Sequence, residues 1–407
     1  MKQKIWYIVS IVVTIVVILL GLSLYKLNPR RYLGENVSFI YANEGISEKK
    51  YEDLDPLLKE LGMKITQKDI NVVKKEIGNI YVVTYDSLFK KNKEFSCILD
   101  LKHWYYEFLL DYEEYFNKED DYYVLNDESL KVLRDKGFNF EKVYMIPHRG
   151  NFLLSTNKKI IVKQIENSNN NNGAVDKILD KGKKENLGIL SINLKKGYVY
   201  NYKNVYMTLN YNKSVMNPKV YIDWSQKKKG INVKNQDRKL SNYIKENRIY
   251  IYNDDFFNLF STALSVLRIE SQYMFLLNFL KINAGVEIPK LLEDIDKEIV
   301  YDIESEQGII KLKNDKNVKR LIRNLENSSI KIKSPLKLEE NNLYIGEEKL
   351  SEMPQESLKL KNNQSFYLDY KYRDRNILME SFVEDTGMKI DLKINNEMLV
   401  ELIKKYK

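Results

Sequence analysis

A run of uncharged residues at 5–25, IWYIVSIVVTIVVILLGLSLY, constrains this chain more than any other stretch. A helix over its twenty-one residues would reach roughly 31 Å at about 1.5 Å per residue, the hydrocarbon thickness of a bilayer. Fourteen of them are Ile, Val or Leu, each favouring insertion by roughly 0.3 to 0.6 kcal/mol at the centre of a span. In hydrocarbon a lone segment must satisfy its own backbone hydrogen bonds, so helix is the conformation open to it despite its many β-branched residues. Trp6, Tyr7 and Tyr25 fall at the two ends, where interfacial aromatic belts lie. The expectation is a transmembrane helix at 5–25, preceded by a tail of residues 1–4, with membrane lipid contacted through 5–25. A cleaved secretory signal is the alternative, because Lys2 and Lys4 form a positive start and Gly21-Leu22-Ser23 offers small residues at cleavage-site spacing. The length of the apolar run, with Lys26 and the Arg30-Arg31 pair behind it, fits a retained anchor better.

Charge does not fix orientation, since Lys2 and Lys4 on one flank balance Lys26, Arg30 and Arg31 on the other. The short tail is that of an uncleaved signal-anchor, and long domains translocate largely regardless of charge. The bulk of the chain is therefore expected outside the cytoplasm.

Beyond the anchor the chain is longer than one core usually organises. A hydrophobic fraction of 43% with 12% aromatics is enough for packed cores and excludes a disordered stalk. Residues 26–35 read as a basic juxtamembrane linker, stopped by Pro29 and Gly34. Two or three modules are expected after it, divided as 36–172, 173–284 and 285–407, the second strand-rich with apolar helices around 260–282. The first carries strand patterns at 37–42, 79–86 and 94–101, a helix over 47–61 with Ser47 as its cap and Asp55-Pro56 as a second start or kink, and an aromatic helix over 102–116. Asn-rich residues 167–173 can bury nothing and read as an exposed loop.

A recurrent junction links the modules. An alternating strand ends in an Asn-containing pair and a helical pattern starts at once, at Asn126-Asp127, Asn253-Asp254, Asn314-Asp315 and Asn395-Asn396, with Asn157 a looser fifth. Asn and Asp accept hydrogen bonds from the free N–H groups of a first helical turn, and negative charge there suits the helix dipole. The repetition points to related α+β modules, each an antiparallel sheet with helices packed on one face. Anchor and junctions together resemble uncharacterised bacterial single-pass envelope proteins, in which an amino-terminal anchor precedes repeated α+β extracytoplasmic modules. That resemblance carries no catalytic residues across.

The net charge is +9, from 66 basic and 57 acidic residues. Basic runs such as Lys183-Lys184, Lys195-Lys196 and Lys227-Lys228-Lys229 are short and scattered, without the interleaved aromatics of a nucleic-acid groove, so no nucleic-acid partner is expected. An envelope protein, a lipid or an anionic polymer remains compatible. A single cysteine, Cys97, excludes an intrachain disulfide, and its apolar strand context makes it a small buried side chain.

No phosphate-binding glycine loop, H-E-x-x-H helix, cysteine-pair metal site or G-x-S-x-G elbow occurs. Neither a cofactor nor a metal is expected, and the catalytic residues are unknown. His148 lies in Pro147-His148-Arg149-Gly150, a hairpin turn between strands, and His103 beside Trp104 is a local contact. Ser87-Leu88-Phe89-Lys90 matches S-x-x-K but follows a strand, whereas that chemistry needs a helix start. Glu113-Glu114 and Glu119-Asp120-Asp121 read as solvated. The expected function is a membrane-anchored, non-catalytic envelope scaffold or binding module. The alternative is an envelope hydrolase with a carboxylate-based site.

Overall fold

The computed structural model describes residues 26–406 apart from 35–36, 52–53, 61, 86–93, 104–111, 139, 170–172, 193–201, 225–237, 258–273, 276, 280, 283–284, 286, 328–332, 353–359, 362 and 385–386. The expected anchor at 5–25 and the S-x-x-K motif at 87–90 lie outside the described residues. So do most of the aromatic helix and most of the apolar stretch at 260–282. Among the described residues no helix is long and apolar enough to cross a membrane.

The fold is α+β and its strand pairings are antiparallel. Two compact units form, Met1–Asn193 with Tyr206–Lys213 and Leu194–Val205 with Ser214–Lys407, the smaller of the expected numbers, with no division at 172 or 284. Long-range pairing is the reason. A strand at 188–192 returns to pair with one at 39–43, and a strand at 248–252 pairs with one at 295–302, so each expected boundary falls inside a hydrogen-bonded ladder.

In the first unit the elements are β1 (Phe39–Asn43), α1 (Asp55–Glu60), α2 (Gln67–Glu76), β2 (Ile77–Thr84), β3 (Ser96–Leu101), β4 (Phe116–Glu119), β5 (Tyr122–Leu125), α3 (Asp127–Asp135), β6 (Tyr144–His148), β7 (Asn151–Ser155), α4 (Lys158–Asn167), α5 (Gly173–Leu179) and β8 (Gly188–Ile192). Its ladder runs β8-β1-β2-β3-β7-β6-β5-β4. Tyr81, Val83, Ile98, Leu153, Ile161 and Ile189 are fully buried and form its centre. Gly188 enters β8 at φ 84°, and a Cβ there would collide with the Ala42 carbonyl, so only glycine permits this approach of β8 to β1. Strand β9 (Tyr202–Leu209) runs across the division between the units, and β10 (Tyr211–Asn212) follows in the first.

The second unit contains β11 (Val215–Met216), β12 (Lys219–Trp224), β13 (Arg248–Tyr252), α6 (Ile288–Asp294), β14 (Ile295–Asp302), β15 (Gln307–Leu312), α7 (Lys316–Glu326), β16 (Leu336–Glu339), β17 (Asn342–Ile345), β18 (Gln364–Tyr372), β19 (Arg375–Glu384), β20 (Gly387–Asn395) and α8 (Asn396–Tyr406). Its ladder runs β12-β20-β19-β18-β13-β14-β15-β17-β16. Leu240, Ile244, Tyr250, Val300, Ile309 and Tyr367 share one buried cluster beneath it.

The two ladders contain the same arrangement. With the β4–β5 hairpin set aside, β8-β1-β2-β3-β7-β6 and β18-β13-β14-β15-β17-β16 both read sixth, first, second, third, fifth, fourth in chain order. In each unit a helix runs without a break into the second strand, at Glu76-Ile77 and at Asp294-Ile295. Each ladder also slips register at the start of that strand, between Ile77 and Asn79 and between Ile295 and Ile299. A shared strand order with a shared irregularity makes the units two forms of one topology.

The side chains of all five junction asparagines accept a backbone amide two or three residues on; Asn126, Asn157 and Asn395 thereby cap described helices, whereas the cap of α7 is Asp315, without a side-chain bond, and Asn314 stands one residue before it. Asn126 Oδ1 accepts from the Ser129 amide at 2.9 Å, Asn253 from Asp255 at 2.8 Å, Asn314 from Lys316 at 3.0 Å, Asn395 from Met398 at 3.2 Å and Asn157 from Lys159 at 2.9 Å. The helix expected over 47–61 is shorter, and α1 begins only at Asp55. Residues before it are drawn off by tertiary bonds: the Ile46 amide donates to the Gly78 carbonyl, and Gly45 turns the chain at φ 64°.

Candidate functional site

A cavity of about 490 Å³ lies in the first unit and is partly open. Small-molecule sites fall in this size range and are mostly apolar with a few placed polar groups. Phe116, Leu125, Leu133, Val143 and Leu154 supply apolar wall, while Glu114, Glu128 and Ser129 bring polar atoms. Asn126 builds the rim. While its Oδ1 caps α3, its Nδ2 donates to the Glu114 carbonyl at 3.0 Å and its amide to the Tyr115 carbonyl at 3.0 Å. One side chain thus joins helix start and preceding turn. Tyr112 and Tyr123 pack with ring centroids 4.8 Å apart, and Phe152 meets Tyr112 edge-on, stiffening that turn. The Tyr115 hydroxyl hydrogen-bonds Glu114, and that bond and the carboxylate's charge hold it protonated beyond the ordinary tyrosine range. Val132 on α3 and Tyr115 are half exposed at the opening. The arrangement can enclose an apolar body and offer carboxylate acceptors to a cationic or hydrogen-bond-donating head.

A second feature is the entry of the chain into the first unit. Residues 26–35, expected as a linker, are instead part of the fold. Leu27, Tyr32 and Leu33 are buried. The Leu27 amide donates to the Arg149 carbonyl at 3.0 Å, and Asn151 Nδ2 donates to the Leu27 carbonyl at 3.0 Å. Lys26 Nζ lies 2.7 Å from Asp100 Oδ1 and donates to the Leu101 carbonyl at 2.7 Å. Arg30 makes two hydrogen bonds of 2.5 Å to Glu44 and reaches Asp180 at 2.9 Å and Asp176 at 3.2 Å. Burial alone would lower the Arg30 pKa, but the Glu44 hydrogen bond and charge more than offset it and raise the value. Tyr81 donates to the same carboxylate at 2.5 Å and is held protonated by its burial and by Glu44. Two of the three basic residues taken as a membrane flank, Lys26 and Arg30, are paired with carboxylates within the protein. Composition could not reveal this, because their partners stand 14 to 150 positions away.

No protein-family model matches the sequence. No curated protein matches it either. Among solved structures, crystal form IV of TP0453 is similar at a TM-score of 0.31 with 10% identity, covering 49% of this chain and 81% of that one. Form III gives 0.30 with 9% identity, covering 51% and 83%, and form I gives 0.28 with 8%, covering 49% and 79%. At those scores the likeness says nothing of function.

The singled-out side chains do not converge. His148 ends β6 as expected of a turn, with its Nδ1 2.9 Å from the Tyr32 hydroxyl, which also donates to the His148 carbonyl. Arg149 and Gly150 follow at φ 52° and 76°, the two left-handed positions of a tight hairpin. Cys97 sits in β3, where burial pushes its thiol up to about 12. Glu119 pairs with Lys142 at 3.0 Å on the surface beside the β4–β5 turn. Among the described residues no group of three His, Cys, Asp or Glu side chains is placed to hold a metal.

Proposed function

We propose that this is a single-pass membrane protein, anchored by residues 5–25, whose bulk lies outside the cytoplasm and serves the cell envelope as a non-catalytic binding module. The observation that supports the reading is the uncharged run at 5–25, long enough to cross a bilayer as a helix. Lys26 and Leu27, the next two residues in sequence, are bonded into the first unit. The binding role rests on the cavity beside α3, whose apolar wall and carboxylate rim suit an amphiphile with a cationic or donor head.

Full-length protein should stay in the membrane pellet through alkaline carbonate washing, and an alkaline phosphatase fused to its carboxyl end should be active. Release by carbonate, or a mature first residue beyond Ser23, would overturn the anchor. For the cavity, a dansylated long-chain alkylamine should bind with a fluorescence rise. Val132→Asp, a change at a half-exposed position, should weaken that binding roughly tenfold, about 1.4 kcal/mol. Equal binding by the variant would remove the cavity from consideration.

A further inference from the structure

We infer that the β6–β7 hairpin tip and the carboxyl end of β3 rest directly on the lipid headgroups; the inference builds on the proposed anchor. Tyr25 closes the apolar run. Two residues later Leu27 is held on both sides, its amide by the Arg149 carbonyl and its carbonyl by Asn151, which is fully buried. Lys26 between them is fastened to the end of β3 through Asp100 and the Leu101 carbonyl. The Leu101 amide in turn donates to the Gly150 carbonyl at 3.2 Å, so strand end and hairpin tip form one rigid seat. Tyr32, wholly buried, adds its hydroxyl bond to the His148 carbonyl.

The length of free chain then decides the geometry. Two residues extend at most about 7 Å. The headgroup layer is roughly 5 to 8 Å deep on each side of the hydrocarbon. With Tyr25 at the hydrocarbon edge, residues 148–150 are held within that layer or at its outer edge. Lys102, exposed, and Arg149 lie at this end of the unit, cations suited to lipid phosphate. The first unit is therefore seated on the bilayer rather than carried on a stalk.

Site-specific fluorescence tests this in full-length protein reconstituted into phosphatidylcholine–phosphatidylglycerol vesicles. With Cys97→Ser as background, an NBD label is placed at Lys102→Cys, at Arg149→Cys, or at Lys159→Cys. The last is an exposed position on α4, several residues beyond the far end of β7. Headgroup-nitroxide lipid should quench positions 102 and 149 at least threefold more than 159. Equal, weak quenching at all three in protein that floats with the vesicles would overturn the seat while sparing the anchor. Protein that fails to float would overturn both, at the flotation step. Position 102 keeps the test decisive should Arg149→Cys, at a left-handed backbone position, fail to fold.

Discussion

Arg30 and Glu44 close on one another through two hydrogen bonds of 2.5 Å, with side-chain exposures of 12% and 9%. Removing one member leaves the other buried without its countercharge, which in comparable pairs costs about 3–5 kcal/mol. Arg30→Met should lower the unfolding midpoint of the first unit accordingly. Arg30→Met with Glu44→Leu should recover much of the loss, because an apolar pair of similar volume needs no desolvation of charge. Chemical denaturation of both variants in mild detergent measures the difference.

Two buried carboxylates of β14 should titrate with opposite sign. At Asp302 burial acts to raise the pKa, but the hydrogen bond from Arg248, 2.8 Å away, outweighs it, and the folded value is lowered. Its contribution is present above the ordinary carboxylate range and is lost as pH falls through the folded value. At Glu298 burial outweighs the hydrogen bonds from the Leu240 amide, the Tyr250 hydroxyl and the Lys239 amide, and the value is raised. That contribution is lost as pH climbs from the ordinary value through the folded one. Glu298→Gln should therefore remove a decline in stability between acid and neutral pH, while Asp302→Asn should flatten the acid limb and destabilise most near neutral pH. Thermal midpoints from pH 3 to 7 separate the two.

Lys49 is nearly buried, and its Nζ donates to Asn43 Oδ1 at 2.8 Å. Burial pushes the amine down to about 8, against the pull of Glu44 and Glu185. Unfolded, it keeps its proton to about 10.4. The unfolded state thus binds more protons between these values, so stability should rise as pH goes from 8 to 10. Lys49→Met should abolish that rise in thermal scans.

Asn126 serves helix and cavity rim at once. Asn126→Ala should cost about 1 kcal/mol as a lost cap, and it should also weaken alkylamine binding. Asn157→Ala, at the cap of α4 and away from the cavity, should cost a similar amount without touching that binding. Equal effects of the two on binding would refute the rim role.

Cys97 should resist alkylation in the native protein, because burial holds its thiol up to about 12 and the thiolate is the reactive form. Iodoacetamide at pH 8 should modify it only after denaturant is added, as followed by mass spectrometry.

What the chain declares by itself is whatever is settled within a few residues. The caps of Asn126, Asn157 and Asn395, the tight turn at Arg149-Gly150 and the α+β alternation were all legible, because each rests on hydrogen bonds or periodicity between neighbours in sequence. Strand order was not. Nothing near Gly188 states that it must pass against Ala42, and nothing near Arg248 names Asp302, 54 positions on, as its partner. Residues 26–35 show the limit most plainly: Lys26 and Arg30 look like a solvated basic flank until folding brings Asp100, Glu44 and Asp180 to them. Partner choice between distant charges and edges is made by packing across the whole unit, and so only the tertiary structure decided the two units, the cavity and the bonds that hold Leu27.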